Sequence, residues 1–480
     1  MKKFWEKVSK AWENHNIVKI AAVMVIFAGL LTWLIPAGSF HQGQMIIAEE
    51  ITRLGISDFF EYIILGMAYF AVFFSFVFVL GAFYQVLSKV GAYQRLTTGI
   101  AKSFKNREYV FVVLTSFLFA IFAALTTEYI ILAVFIPFAI TIVSKMKLSK
   151  MTAFAVTFGS VLIGLLGSLY SSQFAGMNVN VFRVDYSEHL WIKIAILVSA
   201  FVVFNLYNIL HVKKTLANKK AEAVEDPFVN DEPVKKAKVW PLVVIGGLFV
   251  LITILAFIPW YEAFEIELFQ NWHEAVLGFE LSIPRIMSNV PIFAYILGDV
   301  PAFGEWSLLT IQVFMLVTML IIKCSYKVKT DEFLSSIGEG LKKTAKLAGL
   351  LLLIHAIIVI TMYSQVIPTT VDWLMNRTEG FSLFFGFLSG MISSIFTIKY
   401  QFVMQLIGSY FSVSYSDLSA QLAVLFQAIH GFVSFFAPTS LILLVGLFYS
   451  KISYKEWLKY IWQFLLIMFV IMTVIMIVIF

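Results

Sequence analysis

The stretch "QAIHGFVSFFAPTS", residues 427–440, lies inside an apolar run that extends over 418–449. A helix that crosses a bilayer needs about 20 apolar residues with few interruptions. Here Gln427, His430 and Gly431 are followed by Ser434, Pro438, Thr439 and Ser440, so the run is polar and punctuated at its centre. Proline removes a backbone donor and glycine loosens the helix. Backbone freed in this way is tolerated at membrane depth only where it is buried in protein or lines a cavity. The stretch therefore predicts a discontinuous span with a ligand-facing break at 431–440.

The membrane premise comes from composition. Of 480 residues, 60% are hydrophobic and 13% charged, with 49 phenylalanines. That leaves too little polar surface to cover a soluble fold, and the class is an all-α polytopic membrane protein. Apolar runs of helix length exclude the alternating strands of an outer-membrane barrel. The single cysteine, Cys324, excludes a disulfide framework and a CxxC metal pair. "HEAVL" at 273–277 begins like a zinc-protease motif but lacks the second histidine, and neither GxSxG nor a phosphate-binding loop occurs. No enzyme activity, cofactor, metal or nucleic-acid partner is expected; the partners are a small solute and the lipid bilayer. The net charge of +6 reads as a topology signal.

Lys/Arg bias in short loops orients the spans. The basic N-terminus (Lys2, Lys3, Lys7, Lys10) is placed in the cytoplasm of a multi-pass plasma-membrane protein. Spans then fall at 17–37, 62–87, 151–177, 190–210, 239–259, 306–322, 345–365, 418–449 and 457–480, which leaves the C-terminus outside. The segment 38–61, with Glu49, Glu50, Asp58 and Glu61, reads as external.

Two apolar segments, 109–144 and 381–414, fit no simple crossing. As helix each would be roughly 50 Å long, short of two ~30 Å crossings plus a turn. Both are expected to be re-entrant hairpins. The order span, hairpin, interrupted span, span occurs in 62–210 and again in 345–480, with the hairpins opening to opposite sides. That is an inverted-topology repeat, the plan of many secondary transporters. Between the halves 1–211 and 240–480, the linker 212–239 mixes seven lysines with five acids and two prolines and reads as solvated.

If the repeat holds, the third span should be interrupted like the eighth. "GLLGSLYSSQFAGMN" supplies Gly164, Gly167, Ser168, Ser171, Ser172, Gln173 and Gly176 there. Ionisable groups at membrane depth are expensive and mark function. Glu128, beside Thr126 and Thr127, sits at the first hairpin tip; Lys399 sits at the second; His430 sits in the eighth span. These side chains form the candidate solute and ion site. His355, in "LLLLIHAIIVI", has no polar neighbour and reads as a packing residue.

Several stretches resemble one known group. "LTWLIPAGSF" (31–40), "LGAFYQVLSKVGAYQRLTTGIAKSFKNRE" (80–108), "FAALTTEYIILAVFIPF" (122–138), "FLSSIGEGLKKTAKLAGLLLLIHAIIVI" (333–360) and 427–440 are similar to segments of the YfcC family. That family belongs with the four-carbon-dicarboxylate anaerobic carrier-like proteins of the ion transporter superfamily and is related to AbgT-type transporters. The resemblance spans most of the chain. It implies about nine spans and two hairpins, a scaffold domain, a mobile transport domain, a homodimer and an elevator motion. It also implies a secondary active transporter for a small charged organic solute, such as a dicarboxylate, an amino acid or a short peptide. The alternative is a non-transporting membrane partner derived from such a carrier. Two departures stand out: His430 replaces the family's aspartate with no asparagine following, and "FTIKYQF" replaces the small-residue second tip. Histidine is the side chain whose ordinary pKa, ~6.5, lies near physiological pH, so protons rather than sodium are the expected coupling ion.

Overall fold

The computed structural model describes residues 16–47, 53–218, 224–228, 237–283 and 288–480. The lysines of the N-terminus, Glu49, Glu50 and linker residues 219–223 and 229–236 lie outside the described residues. Eight helices among these are long and apolar enough to cross a membrane. Seven coincide with expected spans, and the eighth, Glu108–Leu125, is the first arm of the first hairpin. The third and eighth spans are missing from that set because each is broken into shorter helices.

Two bundles organise the molecule. In the first, the 35-residue helix Thr330–Ser364 packs against Asn16–Leu34, Ile56–Tyr69 and Ala71–Lys89, with Leu308–Ser325 alongside the last. The second packs Glu108–Leu125 on Ser160–Leu166, Leu383–Ile395 on Ser419–Val433, and Leu190–Asn218 on Tyr454–Ile479. Each bundle thus takes helices from both halves of the chain. Small residues set the close crossings: a Cβ on Gly340 would lie 2.4 Å from the Gly81 carbonyl oxygen, so the second and seventh spans meet backbone to backbone. The outer faces stay apolar, as Leu466 and Val478 on the last helix show. Lipid is the solvent that such faces require.

The sequence reading needs four corrections here. The second span is two helices, Ile56–Tyr69 and Ala71–Lys89, joined at Phe70, which leaves the helical region at φ −109°, ψ 23°. The basic stretch after it is not a loop but the amphipathic helix Gly91–Ser103, whose buried face carries Ala92, Tyr93, Thr97 and Ala101. The seventh span begins fifteen residues earlier than hydropathy suggested, because the polar turns from Thr330 continue the same helix. Lastly, the linker is not wholly solvated: Val224 and Phe228 are buried.

Candidate functional site

The first hairpin breaks at its tip. Glu108–Leu125 ends at Thr126, whose extended backbone (φ −76°, ψ 147°) stops the helix, and a 3-10 turn, Tyr129–Val134, follows. Glu128 caps that turn: its Oε1 accepts from the Ile130 backbone N–H at 3.2 Å. Thr126 Oγ1 accepts from the Glu128 N–H at 3.3 Å, and the Thr127 N–H reaches across to the Phe257 carbonyl at 2.8 Å. The carboxylate is therefore held by its own backbone before it meets any partner. One oxygen is left free to face inward.

That oxygen, Oε2, is the meeting point of three broken segments. Gln173 Nε2 donates to it at 2.6 Å and Lys399 Nζ at 2.9 Å. Gln173 is the second residue of the π-helical segment Ser172–Gly176 that follows the third-span break, and π turns recur at functional sites. Lys399 precedes Tyr400–Val403, at the end of the break after Leu383–Ile395 in the second hairpin. The ammonium also lies 4.9 Å from the centre of the Phe73 ring, on the first bundle. A cation over an aromatic face is stabilised by the ring quadrupole. With side-chain exposures of 11% and 14%, the Lys399–Glu128 pair is well withdrawn from solvent.

In the same tip and third-span break, four polar atoms have no protein partner: Thr127 Oγ1, Ser168 Oγ, Ser171 Oγ and Gln173 Oε1. Ser168 and Ser171 are fully buried. A buried polar atom without a partner costs about 1–3 kcal/mol, so hydroxyls retained in such positions need a reason. Gly167 makes the break possible by contact, since a Cβ there would come within 2.4 Å of Leu197 Cα on the fourth span.

A second layer fixes the two broken spans to each other. Gln427 Nε2 donates to the Ser168 carbonyl at 2.6 Å, and Asn178 Nδ2 donates to Gln427 Oε1 at 3.2 Å. The Tyr400 hydroxyl donates to Asn178 Oδ1 at 2.6 Å. Gly431 brings the eighth span against the third: a Cβ there would sit 2.3 Å from Leu166 Cα.

The remaining expected residues divide. The eighth span does break, but the helix Ser419–Val433 runs through His430 and Gly431, so the break covers 434–440 rather than 431–440. Gly431 is small for close packing, which does not interrupt a helix. His430 is buried with its Nδ1 unpartnered, 5.8 Å from the Phe174 and Tyr400 ring centres. Ser434 Oγ donates to the His430 carbonyl at 2.7 Å and Thr439 Oγ1 to the Ile395 carbonyl at 2.5 Å. Ser440, beyond Pro438, donates its N–H to the Ala437 carbonyl at 3.1 Å. These groups close the break onto protein and not onto Glu128. Ser172 turns outward, donating to Glu262 Oε2 at 2.9 Å. His355 is buried among Phe70, Phe73 and Phe74, with its Nδ1–H on the Leu351 carbonyl at 2.8 Å.

Sequence reasoning missed Asn178, Tyr400 and Glu262. Asn178 and Tyr400 follow a break in their own segments, a position that could have flagged them. Glu262, in a stretch rich in acids, carried no signal of its own. Among the described residues no cluster of three or more His, Cys, Asp or Glu could hold a metal ion.

A chain of membrane-length helices, with two hairpin tips and one broken span meeting at a withdrawn ion pair, is a polytopic α-helical membrane protein of the transporter class. The family model for the C4-dicarboxylate anaerobic carrier, DcuC, matches residues 15–480. This chain belongs to that family. No curated protein matches it. The crystal structure of the YdaH transporter of Alcanivorax borkumensis, described as having an unusual topology, aligns over 97% of this chain and 97% of its own. Its sequence identity is 13% and its TM-score 0.42.

Proposed function

We propose that this protein is a secondary active transporter for a small solute that carries both an ammonium and a carboxylate group, as a free amino acid does. The observation that supports this reading is the Glu128–Lys399 pair at 2.9 Å, between two hairpin tips from opposite halves of the chain. Removing one partner of a buried ion pair costs about 3–5 kcal/mol, because the other charge is left uncompensated. A dicarboxylate drawn to Lys399 would strand Glu128 in that way. A solute with both charges replaces each partner: its ammonium takes Glu128 and its carboxylate takes Lys399. The unpartnered Thr127, Ser168, Ser171 and Gln173 atoms then supply its remaining polar contacts.

The reading includes a moving second bundle, an elevator-type passage, and a homodimer. It also includes coupling to protons through His430. Proteoliposomes preloaded with a mixture of amino acids and offered labelled members of it should exchange them, whereas succinate or fumarate should not exchange. A pH gradient should drive net uptake and a sodium gradient should not. Exchange of dicarboxylates alone would overturn the solute assignment, and sodium-driven uptake indifferent to pH would overturn the coupling assignment. No flux of either solute class would favour the non-transporting alternative.

A further inference from the structure

The linker between the halves holds a short docked segment, "VEDPF" at 224–228, far from the paired charges in sequence and role. A solvated linker would leave its apolar side chains in water, yet Val224 is 3% and Phe228 2% exposed. Their burial comes with a set of polar ties that run to both bundles.

On the hairpin side, Ser144 Oγ donates to the Val224 carbonyl at 3.0 Å and Thr141 Oγ1 donates to Asp226 Oδ2. Both belong to Ile136–Lys145, the second arm of the first hairpin, whose tip carries Glu128. On the first-bundle side, Lys343 Nζ donates to the Pro227 carbonyl at 2.7 Å and lies 5.7 Å from the centre of the Phe228 ring. The Phe228 ring also packs against Tyr84, with centroids 5.7 Å apart. Asp226 stiffens the segment from within, its Oδ1 accepting the Phe228 N–H at 2.9 Å. The short acid–proline turn is thus pre-formed and pinned on two faces.

Phe228 also closes something. It lines an apolar cavity of about 60 Å³ together with Phe76 and Leu80 of the second span, Ile136 and Pro137 of the hairpin arm, and Leu347 of the seventh span. That cavity separates the first bundle from the hairpin arm. Packed interiors carry few voids of this size, and a void along the seam of two bodies leaves them less tightly joined there than a filled core would. The segment crosses the seam beside that cavity.

We propose that residues 224–228 are a cytoplasmic latch that locks the second arm of the first hairpin to the first bundle, and that movement of the hairpin requires its release. The exposed Glu225–Lys451 pair at 2.5 Å adds little, because both side chains are open to water. Asp226, Phe228 and Lys343 carry the lock. The inference concerns opening of the protein itself and goes beyond any assignment of solute.

The test reads opening without a solute. In full-length protein with the exposed Cys324 replaced (Cys324→Ser), a reporter Ile136→Cys is placed in the cavity wall and a second, Val161→Cys, in the buried core of the second bundle, away from the cavity. Inside-out vesicles are labelled with a membrane-impermeant maleimide. Labelling of a transiently opened site tracks its open population. Asp226→Ala with Phe228→Ala should raise the rate at Ile136→Cys about tenfold, the equivalent of one net hydrogen bond, with Val161→Cys unreactive. Glu225→Gln should change neither rate. An unchanged rate at Ile136→Cys overturns the latch. Should both reporters react, the double variant has unfolded and the milder Lys343→Gln decides: a rise confined to Ile136→Cys upholds the latch, and no rise overturns it.

Discussion

The two broken spans look alike as sequence and differ as structure. At 167–171 in the third span, Ser168 and Ser171 are buried with hydroxyls that bond to nothing in the protein. At 434–440 in the eighth, Ser434 and Thr439 spend their hydroxyls on the carbonyls of His430 and Ile395. Two further donors finish that break: the Trp457 Nε1–H on the Phe435 carbonyl at 2.7 Å, and the Tyr454 hydroxyl on the Phe436 carbonyl. One break keeps two buried hydroxyls without protein partners; the other is a joint closed by the helices around it. A cluster of Gly, Ser, Thr and Pro therefore announces an interrupted helix, but only the partners of its polar groups tell a binding surface from a hinge.

The comparison is sharpened first by removing charge. Glu128→Gln or Lys399→Met alone should lower stability by about 3–5 kcal/mol, while the double replacement should recover much of it, read from melting of the purified protein in detergent. Equal losses in single and double variants would mean that the pair is not the principal partner of either residue. Next come the close crossings. Gly431→Ala and Gly167→Ala push a methyl into Leu166 and Leu197 backbone at 2.3 and 2.4 Å, and overpacking of this kind costs about 1–3 kcal/mol. Tolerance of both would show that the third span has room to separate from the eighth and the fourth.

The hydroxyls then separate the breaks directly. Thr439→Val should cost about 1 kcal/mol by orphaning the Ile395 carbonyl, whereas Ser171→Ala should leave melting unchanged or slightly higher, since it removes an unpartnered polar atom. The opposite ranking would reverse the roles assigned to the two breaks.

The smallest effect concerns the latch and pH. Burial pushes the Asp226 carboxyl above its ordinary range, while the Thr141 hydroxyl, the Phe228 N–H, Lys343 and Lys145 pull it back. Tyr84, Tyr93 and Tyr449 also face it. With the folded pKa above the unfolded one, the docked segment is most stable at pH below the unfolded pKa and loses that advantage as pH rises through the folded value. Maleimide labelling at Ile136→Cys, divided at each pH by the rate of a free thiol so that loss of thiolate cancels, should slow on acidification from neutral pH. Asp226→Asn should flatten that response.

How far this was legible in the sequence follows the same division. Hydropathy located the long helices, because a bilayer imposes length and apolarity on each one separately. Glu128, Lys399 and the glycines stood out because charge and punctuation are rare in such runs. Asn178 and Tyr400 did not, since an amide and a phenol are unremarkable in composition and their role depends on a meeting of segments more than 200 residues apart. Gly431 was read as a breaker when it is a contact. The docked 224–228 segment was invisible because its neighbours in sequence are lysines and acids, and its anchors lie on two distant helices.

The most direct test of the central claim, that the Glu128–Lys399 pair is the solute's seat, is thermal stabilisation of the purified protein by free amino acids. A ligand at a hundred times its Kd stabilises a fold by about 2.7 kcal/mol. At least one amino acid should raise the Tm of the native protein, with succinate inert, and the Glu128→Gln/Lys399→Met double variant should melt cooperatively but without any shift. A shift that persists undiminished in the double variant would contradict the account.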